Sequence, residues 1–306
     1  MLFRSDSFWF SAVEGEVYAM SSLFTAVVFW SILKWEEVAD SNYSYRWLIL
    51  IAFLMGLSIG VHLLNLLAIP AITYIVYFKK FKKTDIKGFV LAGLVSLIVL
   101  SFIMYFIIPM TVKLAGSFEL FFVNTIGLPF NTGSILFFIF LTALIVWAIY
   151  YTQLKKQLIA HIAILSVTFI LIGYSSFFVL VIRANANPPI NENDPKDAIG
   201  MLSYLLREQY GSWPLAYGQY YNADIVSWND KAPTYIQDQA SGKYIITDSG
   251  KDSEPVYNPK LSGLFPRMWS NQKPDHIDMY ENYKTSRGIP IRIVDRDGSE
   301  KIVYKP

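Results

Sequence analysis

Apolar residues run in long blocks up to residue 182, and a mixed polar and apolar pattern follows. A membrane-crossing helix needs about 20 consecutive apolar residues. The blocks predict six spans, at about 17–33, 47–61, 63–78, 89–108, 134–151 and 159–182. The second and third form an unusual pair. Residues 47–78 contain no charged side chain, and the stretch is too long for one crossing and slightly short for two. Gly56, Gly60, His62, Asn65 and Pro70 punctuate it, which predicts two short helices meeting at residues 62–65 near one membrane face. Polar side chains in lipid cost a few kcal/mol each, so His62 and Asn65 mark either a wet, protein-lined place or a packing hydrogen bond between helices.

Charge then orients the spans. Lys79, Lys80, Lys82, Lys83 and Lys87 follow the third span, and Lys155 and Lys156 separate the fifth from the sixth. Lysine-rich loops stay on the cytoplasmic side. Counting outward from them, residues 1–16, 62–65 and 111–133, and everything after Arg183, fall outside. Glu14, Glu16, His62, Asn65 and Arg183 then collect at one face. Residues 111–133 are apolar for an external segment and read as interfacial or dipping back toward that face. Ser11 and Glu14 have capping-box spacing, which offers a structural role for Glu14. Phe8, Trp9 and Phe10 suit an interfacial aromatic belt. The expected location is the cytoplasmic (inner) membrane, with the C-terminal domain on its extracytoplasmic side.

After the sixth span, ANANPPINENDP (184–195) reads as a linker. Residues 197–210 have apolar positions at helical spacing, with Gly211 as a C-cap candidate. Residues 214–221, 243–249, 289–295 and 301–306 read as strands, with a turn at 296–298. The expected domains are a transmembrane domain, 1–182, and a small α+β extracytoplasmic domain, 183–306. The second is rich in Tyr and Trp, which suits sugar or peptide stacking as well as an ordinary core.

Composition narrows the chemistry. The chain has 306 residues, is 54% hydrophobic and carries a net charge of +2, which gives no signal for nucleic acid. It has no cysteine, which excludes disulfides, Cys-ligated zinc and thiol catalysis. Its three histidines, His62, His161 and His276, are too far apart in sequence for a His-rich metal motif. No cofactor motif and no signal-peptide pattern are visible.

Three strings are distinctive: SFWFSAVEGEVYAMSSLF (7–24), GLSIGVHLLNLLAIPA (56–71) and NPPINENDP (187–195) with LLREQYG and PLAYGQYY after it. Through them the chain resembles glycosyltransferase family 117, a polytopic family related to eukaryotic transmembrane protein O-mannosyltransferases. The resemblance implies a partial C-type glycosyltransferase fold. It implies transfer of a sugar, with mannose the expected one, from a polyprenyl-phosphate donor to Ser or Thr of an exported protein, with inversion. Such chemistry needs a carboxylate to take the acceptor proton, hydrogen-bonding or cationic groups for the leaving phosphate, and an apolar groove for the lipid. The family's catalytic acid lies in a first external loop upstream of the segment matching 7–24, so the resemblance implies a fragment lacking that loop. Glu14 and Glu16 become auxiliary carboxylates. Tyr18, His62, Asn65 and Arg183 become contacts to the lipid phosphate or sugar. No metal or cofactor is implied, and the partners are membrane lipid, the lipid-linked sugar and the protein acceptor. Two other classes stay open: a transporter or flippase, suggested by the broken helix pair, and a non-catalytic lipid- or partner-binding protein.

Overall fold

A computed structural model describes residues 6–13, 17–191, 194–206, 214, 216–230, 233–247, 253–266, 274–283, 288–294 and 298–305. The chain divides into two compact units, Met1–Arg207 and Glu208–Pro306.

The first unit is helical. Helix α1 (Asp6–Val13) precedes α2 (Val17–Glu37). Ser11 lies inside α1, whereas an N-cap needs non-helical backbone, so Ser11 does not open the first span and the capping-box reading fails. Helix α3 (Tyr45–Ile59) stops at Gly60, a 3₁₀ segment occupies Leu63–Ala68, and α4 (Ile69–Lys80) follows. Pro70 sits in the first turn of α4, where its missing N–H has no intrahelical partner to lose. The break expected inside 47–78 is therefore present.

Helix α5 (Ile86–Ser101) departs from expectation by not ending near Pro109. A π-helical turn (Phe102–Ile107) leads into α6 (Ile108–Leu120), and a second π turn (Phe121–Ile126) ends the tract at Gly127, whose φ is +84°. Residues expected to form a greasy external segment are thus mostly helix. In an α-helix a proline removes one hydrogen bond and clashes with the preceding turn. Here the N–H of Ile108 reaches back five residues to the carbonyl of Ile103, and this wider turn accommodates Pro109. The whole tract, Ile86–Ile126, has 41 residues. That corresponds to roughly 60 Å of helix, about twice the hydrocarbon core.

Helices α7 (Thr132–Leu154) and α8 (Leu158–Tyr174), a 3₁₀ turn (Ser175–Phe177), α9 (Phe178–Asn185) and α10 (Ala198–Leu205) complete the unit. Asp197 caps α10 by accepting from the Gly200 N–H at 2.8 Å. Five apolar tracts are long enough to cross a bilayer: Val17–Glu37, Leu63–Lys80, Ile86–Ile126, Thr132–Leu154 and Leu158–Asn185. They fit a multi-pass membrane protein. Helix α3, with 15 residues, rises only about 22 Å and falls short of that length.

The core of this unit is the α3–α8 contact. An added Cβ at Gly56 would lie 2.3 Å from the Ile170 carbonyl oxygen, and one at Gly173 would lie 2.5 Å from the Phe53 carbonyl oxygen. The two backbones therefore touch, as small residues permit between membrane helices. Val28, Ile32, Ile51, Met55, Ile59, Leu66 and Ile170 are buried around this contact. Tyr174 ties α8 to α6 by donating its hydroxyl to the Ile108 carbonyl at 3.2 Å. Outward faces of α5 and α7 stay apolar: Leu91, Ile98, Ile139 and Trp147 are exposed, as lipid contact requires.

The second unit contains helix α11 (Pro274–Tyr283) and antiparallel strand pairs: β1 (Tyr217–Gln219) with β6 (Ser262–Leu264), β2 (Ile225–Asp230) with β5 (Ser253–Tyr257), β3 (Thr234–Asp238) with β4 (Lys243–Thr247), and β7 (Ile289–Val294) with β8 (Glu300–Lys305). The strands read at 214–221, 243–249, 289–295 and 301–306 correspond to β1, β4, β7 and β8. Gly211 and most of the turn at 296–298 lie outside the described residues.

Candidate functional site

The break between α3 and the 3₁₀ segment builds a small polar turn. The N–H groups of Val61 and His62 both bond the Ser58 carbonyl, at 3.0 and 2.7 Å, which closes the end of α3. His62 then adopts extended backbone, and its Nδ1 accepts from the Leu64 N–H at 3.1 Å. It is the N-cap of the 3₁₀ segment, an unusual use of imidazole. An accepting Nδ1 carries no proton, so the neutral ring holds its proton on Nε2. That Nε2–H has no partner among the described residues, and the ring is half-buried. Tyr18 of α2 packs its ring 5.8 Å from the His62 ring at 50°.

Asn65 stands behind this pair and is fully buried. Its Nδ2 donates to Ser58 Oγ at 3.0 Å, and that hydroxyl donates to the Met55 carbonyl at 2.8 Å. The Oδ1 atom of Asn65 is buried without a partner among the described residues, as are the hydroxyls of Ser21 and Ser176. Ser176 reaches the same turn: a Cβ at Gly60 would fall 2.5 Å from its Oγ. The structure thus makes Tyr18 and His62 a surface pair and gives Asn65 the work of holding the turn. An unsatisfied buried carbonyl oxygen carries a desolvation cost of about 1–3 kcal/mol, which a hydroxyl or water donor would remove.

Arg183 lies apart, exposed on α9 beside a small hollow of about 230 Å³ that Leu180, Pro188, Asn191 and Tyr204 also line. It makes no ion pair with the described residues, and neither Tyr18, His62 nor Asn65 lines that hollow. Glu14 and Glu16 fall outside the described residues.

Two features were not located by the sequence. The first is Glu119 of α6, which is wholly buried. Its carboxylate accepts from the backbone N–H of Asn131 and, at 2.9 Å, from that of Ser134, with the Ser134 hydroxyl at 3.2 Å. These are free donors at the start of α7, where a negative charge is favoured. Asn131 holds a left-handed φ of 69° at that turn, which asparagine tolerates. The signal was available: Lys113 and Glu119 are the only charged residues between Lys87 and Lys155.

The second is a groove of about 530 Å³ among α6, α7, α8, α9 and the start of α10. Phe138, Ile145, Leu171 and Phe178 give it apolar walls, and Asn131, Ser134 and Asp197 supply polar groups at helix starts. The hydroxyls of Thr111, Thr142, Thr168 and Ser175 also line it, but each donates to a backbone carbonyl three or four residues earlier in the chain. What faces the groove is therefore mostly hydrocarbon. Residues 131–149 of the chain border it, so its wall follows α7 for roughly 27 Å.

Residues 1–85 match the family described as the protein O-mannosyl-transferase TMEM260 N-terminal domain. Over this segment the chain is similar to TMEM260-like protein O-mannosyltransferases. The match contains the whole Tyr18–His62–Asn65 turn. Residues 211–296, in the second unit, match a family of unknown function, DUF8416. No curated protein and no solved structure matches the chain.

Proposed function

We propose that this chain is part of a membrane glycosyltransferase that moves mannose from a polyprenyl-phosphate donor to Ser or Thr hydroxyls of exported proteins. The observation that carries this reading is the similarity of residues 1–85 to the N-terminal domain of protein O-mannosyltransferases. The His62 Nε2–H is a neutral donor at the end of a helix pair, suited to an oxygen of the donor phosphate or sugar. Tyr18 supplies the adjoining ring face. The isoprenoid chain takes the groove along α7. Arg183 supplies a cation for the donor phosphate. Six crossings, with α3 as a short one that thins the bilayer around it, and the 62–65 turn on the extracytoplasmic face belong to the same proposal. Glu14 and Glu16 serve as auxiliary carboxylates.

The groove also supports a second reading, a lipid-binding protein without turnover. The two separate in one assay. The protein encoded by the full reading frame is placed in proteoliposomes with radiolabelled mannosyl-phospho-polyprenol and a Ser/Thr-rich acceptor peptide. Label should reach the peptide from the lipid donor and not from a nucleotide sugar. Saturable donor binding with no label on the peptide favours the lipid-binding reading.

A further inference from the structure

The turn between α4 and α5 is more ordered than a solvated basic loop needs to be. Tyr77, which is buried, clasps it from inside: its hydroxyl oxygen accepts from the Asp85 N–H at 3.3 Å and donates to the Asp85 carbonyl at 3.4 Å. A Cβ at Gly88 would fall 2.3 Å from that phenolic oxygen, so glycine is what lets α5 start so close to Tyr77. Asp85 caps α5 by accepting from the Gly88 N–H at 2.8 Å. Lys80 pins the other side to the α2–α3 connection, donating to the Ala39 carbonyl and pairing with Asp40 at 3.3 Å. Ring stacking of Tyr74 on Phe89, with centroids 4.6 Å apart, stiffens the base.

This frame presents Lys79, Lys82, Lys83 and Lys87, all exposed and none in an ion pair among the described residues. Of the nearby carboxylates, Asp85 caps α5 and Asp40 pairs with Lys80. Large apolar side chains stand among the lysines: Phe78, Phe81 and Ile86 are 54%, 58% and 83% exposed. Both flanking helices belong to apolar tracts long enough to cross a bilayer. A turn joining them sits at a bilayer surface, with its apolar side chains at the level of the lipid tails and its ammonium groups at the level of the headgroups.

We infer that this turn is a binding surface for anionic phospholipid headgroups. The occupant is a lipid because charge complementarity and the interleaved apolar side chains act at one place, which a soluble acidic partner would not require. Each lysine near an anionic surface is worth roughly a fivefold gain in affinity.

The test uses the full chain in detergent, titrated with phosphatidylglycerol or phosphatidylcholine of identical acyl chains, with bound lipids counted by native mass spectrometry. The wild type should prefer phosphatidylglycerol by more than tenfold, and 0.5 M salt should weaken that preference. The fourfold variant K79Q/K82Q/K83Q/K87Q should lose most of it, the corresponding fourfold arginine variant should keep it, and K155Q/K156Q should leave it unchanged. Thermal melting of each variant checks folding independently. Equal binding of the two lipids by the wild type overturns the inference, as does a preference that survives in the glutamine variant. Displacement of the lipid by millimolar inorganic phosphate overturns the lipid assignment in favour of a free-phosphate site.

Discussion

The two units of this chain solve the same backbone problem in opposite ways. In the first, helices satisfy their own N–H and C=O groups, so apolar side chains can face lipid on one side and a dense core on the other. Gly56 and Gly173 let α3 and α8 meet backbone to backbone, and wholly buried residues such as Val28, Ile32 and Leu66 surround that contact. In the second, every described strand has a single partner, and Val226, Trp228, Ile236 and Ile246 are exposed. Among its described residues few side chains are buried, Tyr221, Tyr244 and Leu261 among them. Close packing decides the stability of the first unit, whereas individual pairings and turns decide that of the second.

The sharpest way to break this contrast is at Gly56. Gly56→Leu places side-chain atoms where the Ile170 carbonyl stands. It should cost about 3 kcal/mol or more by overpacking. The expected result is loss of a monodisperse, cooperatively melting protein, read by size-exclusion and thermal denaturation in detergent. A variant that melts like the wild type would show that the α3–α8 contact tolerates separation.

Glu119 comes next. Glu119→Ala leaves buried donors of Asn131 and Ser134 without their acceptor and should cost about 2–3 kcal/mol, while Glu119→Gln, which keeps an acceptor, should cost about half as much. Melting temperatures of the two variants rank them. In the second unit Tyr221→Phe removes the 3.1 Å bond to Glu281 Oε1 and should cost only about 1 kcal/mol. Hydrogen exchange around α11 reports it without involving the helices.

The smallest effect belongs to the β3–β4 hairpin. The Ser241 side chain, together with the N–H groups of Ala240 and Ser241, holds the exposed Asp238 carboxyl below the usual carboxylate range. A carboxylate depressed in the folded state adds stability that is present above its unfolded value, near pH 4, and is lost as pH falls through the folded value. Acidification below about pH 4 should therefore reduce the protection of the Ala240 and Ser241 amides, relative to their intrinsic exchange rates, in the wild type more than in Asp238→Ala.

The same contrast explains what the sequence made legible. Helices are local: uninterrupted apolar blocks located α2, α7 and α8, and Gly60 and Pro70 located the break between α3 and α4. Pro109 misled because a proline ordinarily ends a helix, and the π turn that absorbs it depends on a backbone bond from Ile108 to Ile103 that no side-chain pattern announces. Strand pairs are non-local: β1 joins β6 and β2 joins β5 across long stretches of chain, and β2 is exposed along its whole length, so its residues show no alternation to read. At the site, the spacing of His62 and Asn65 located the turn, but not that Asn65 would turn inward onto Ser58 while His62 faced Tyr18. Glu119 was visible as a lone charge in an apolar tract, yet its acceptor role depends on a fold that brings the start of α7 alongside α6.

His62→Asn separates the proposed contact between the His62 Nε2–H and the lipid-linked donor from the residue's capping of the turn. Asparagine is a good N-cap and keeps an acceptor for the Leu64 N–H, but it removes the imidazole Nε2–H. This variant should melt within a few degrees of the wild type while mannose transfer from mannosyl-phospho-polyprenol falls at least tenfold. Wild-type transfer rates in a folded His62→Asn protein would mean that the His62 Nε2–H does not touch the donor.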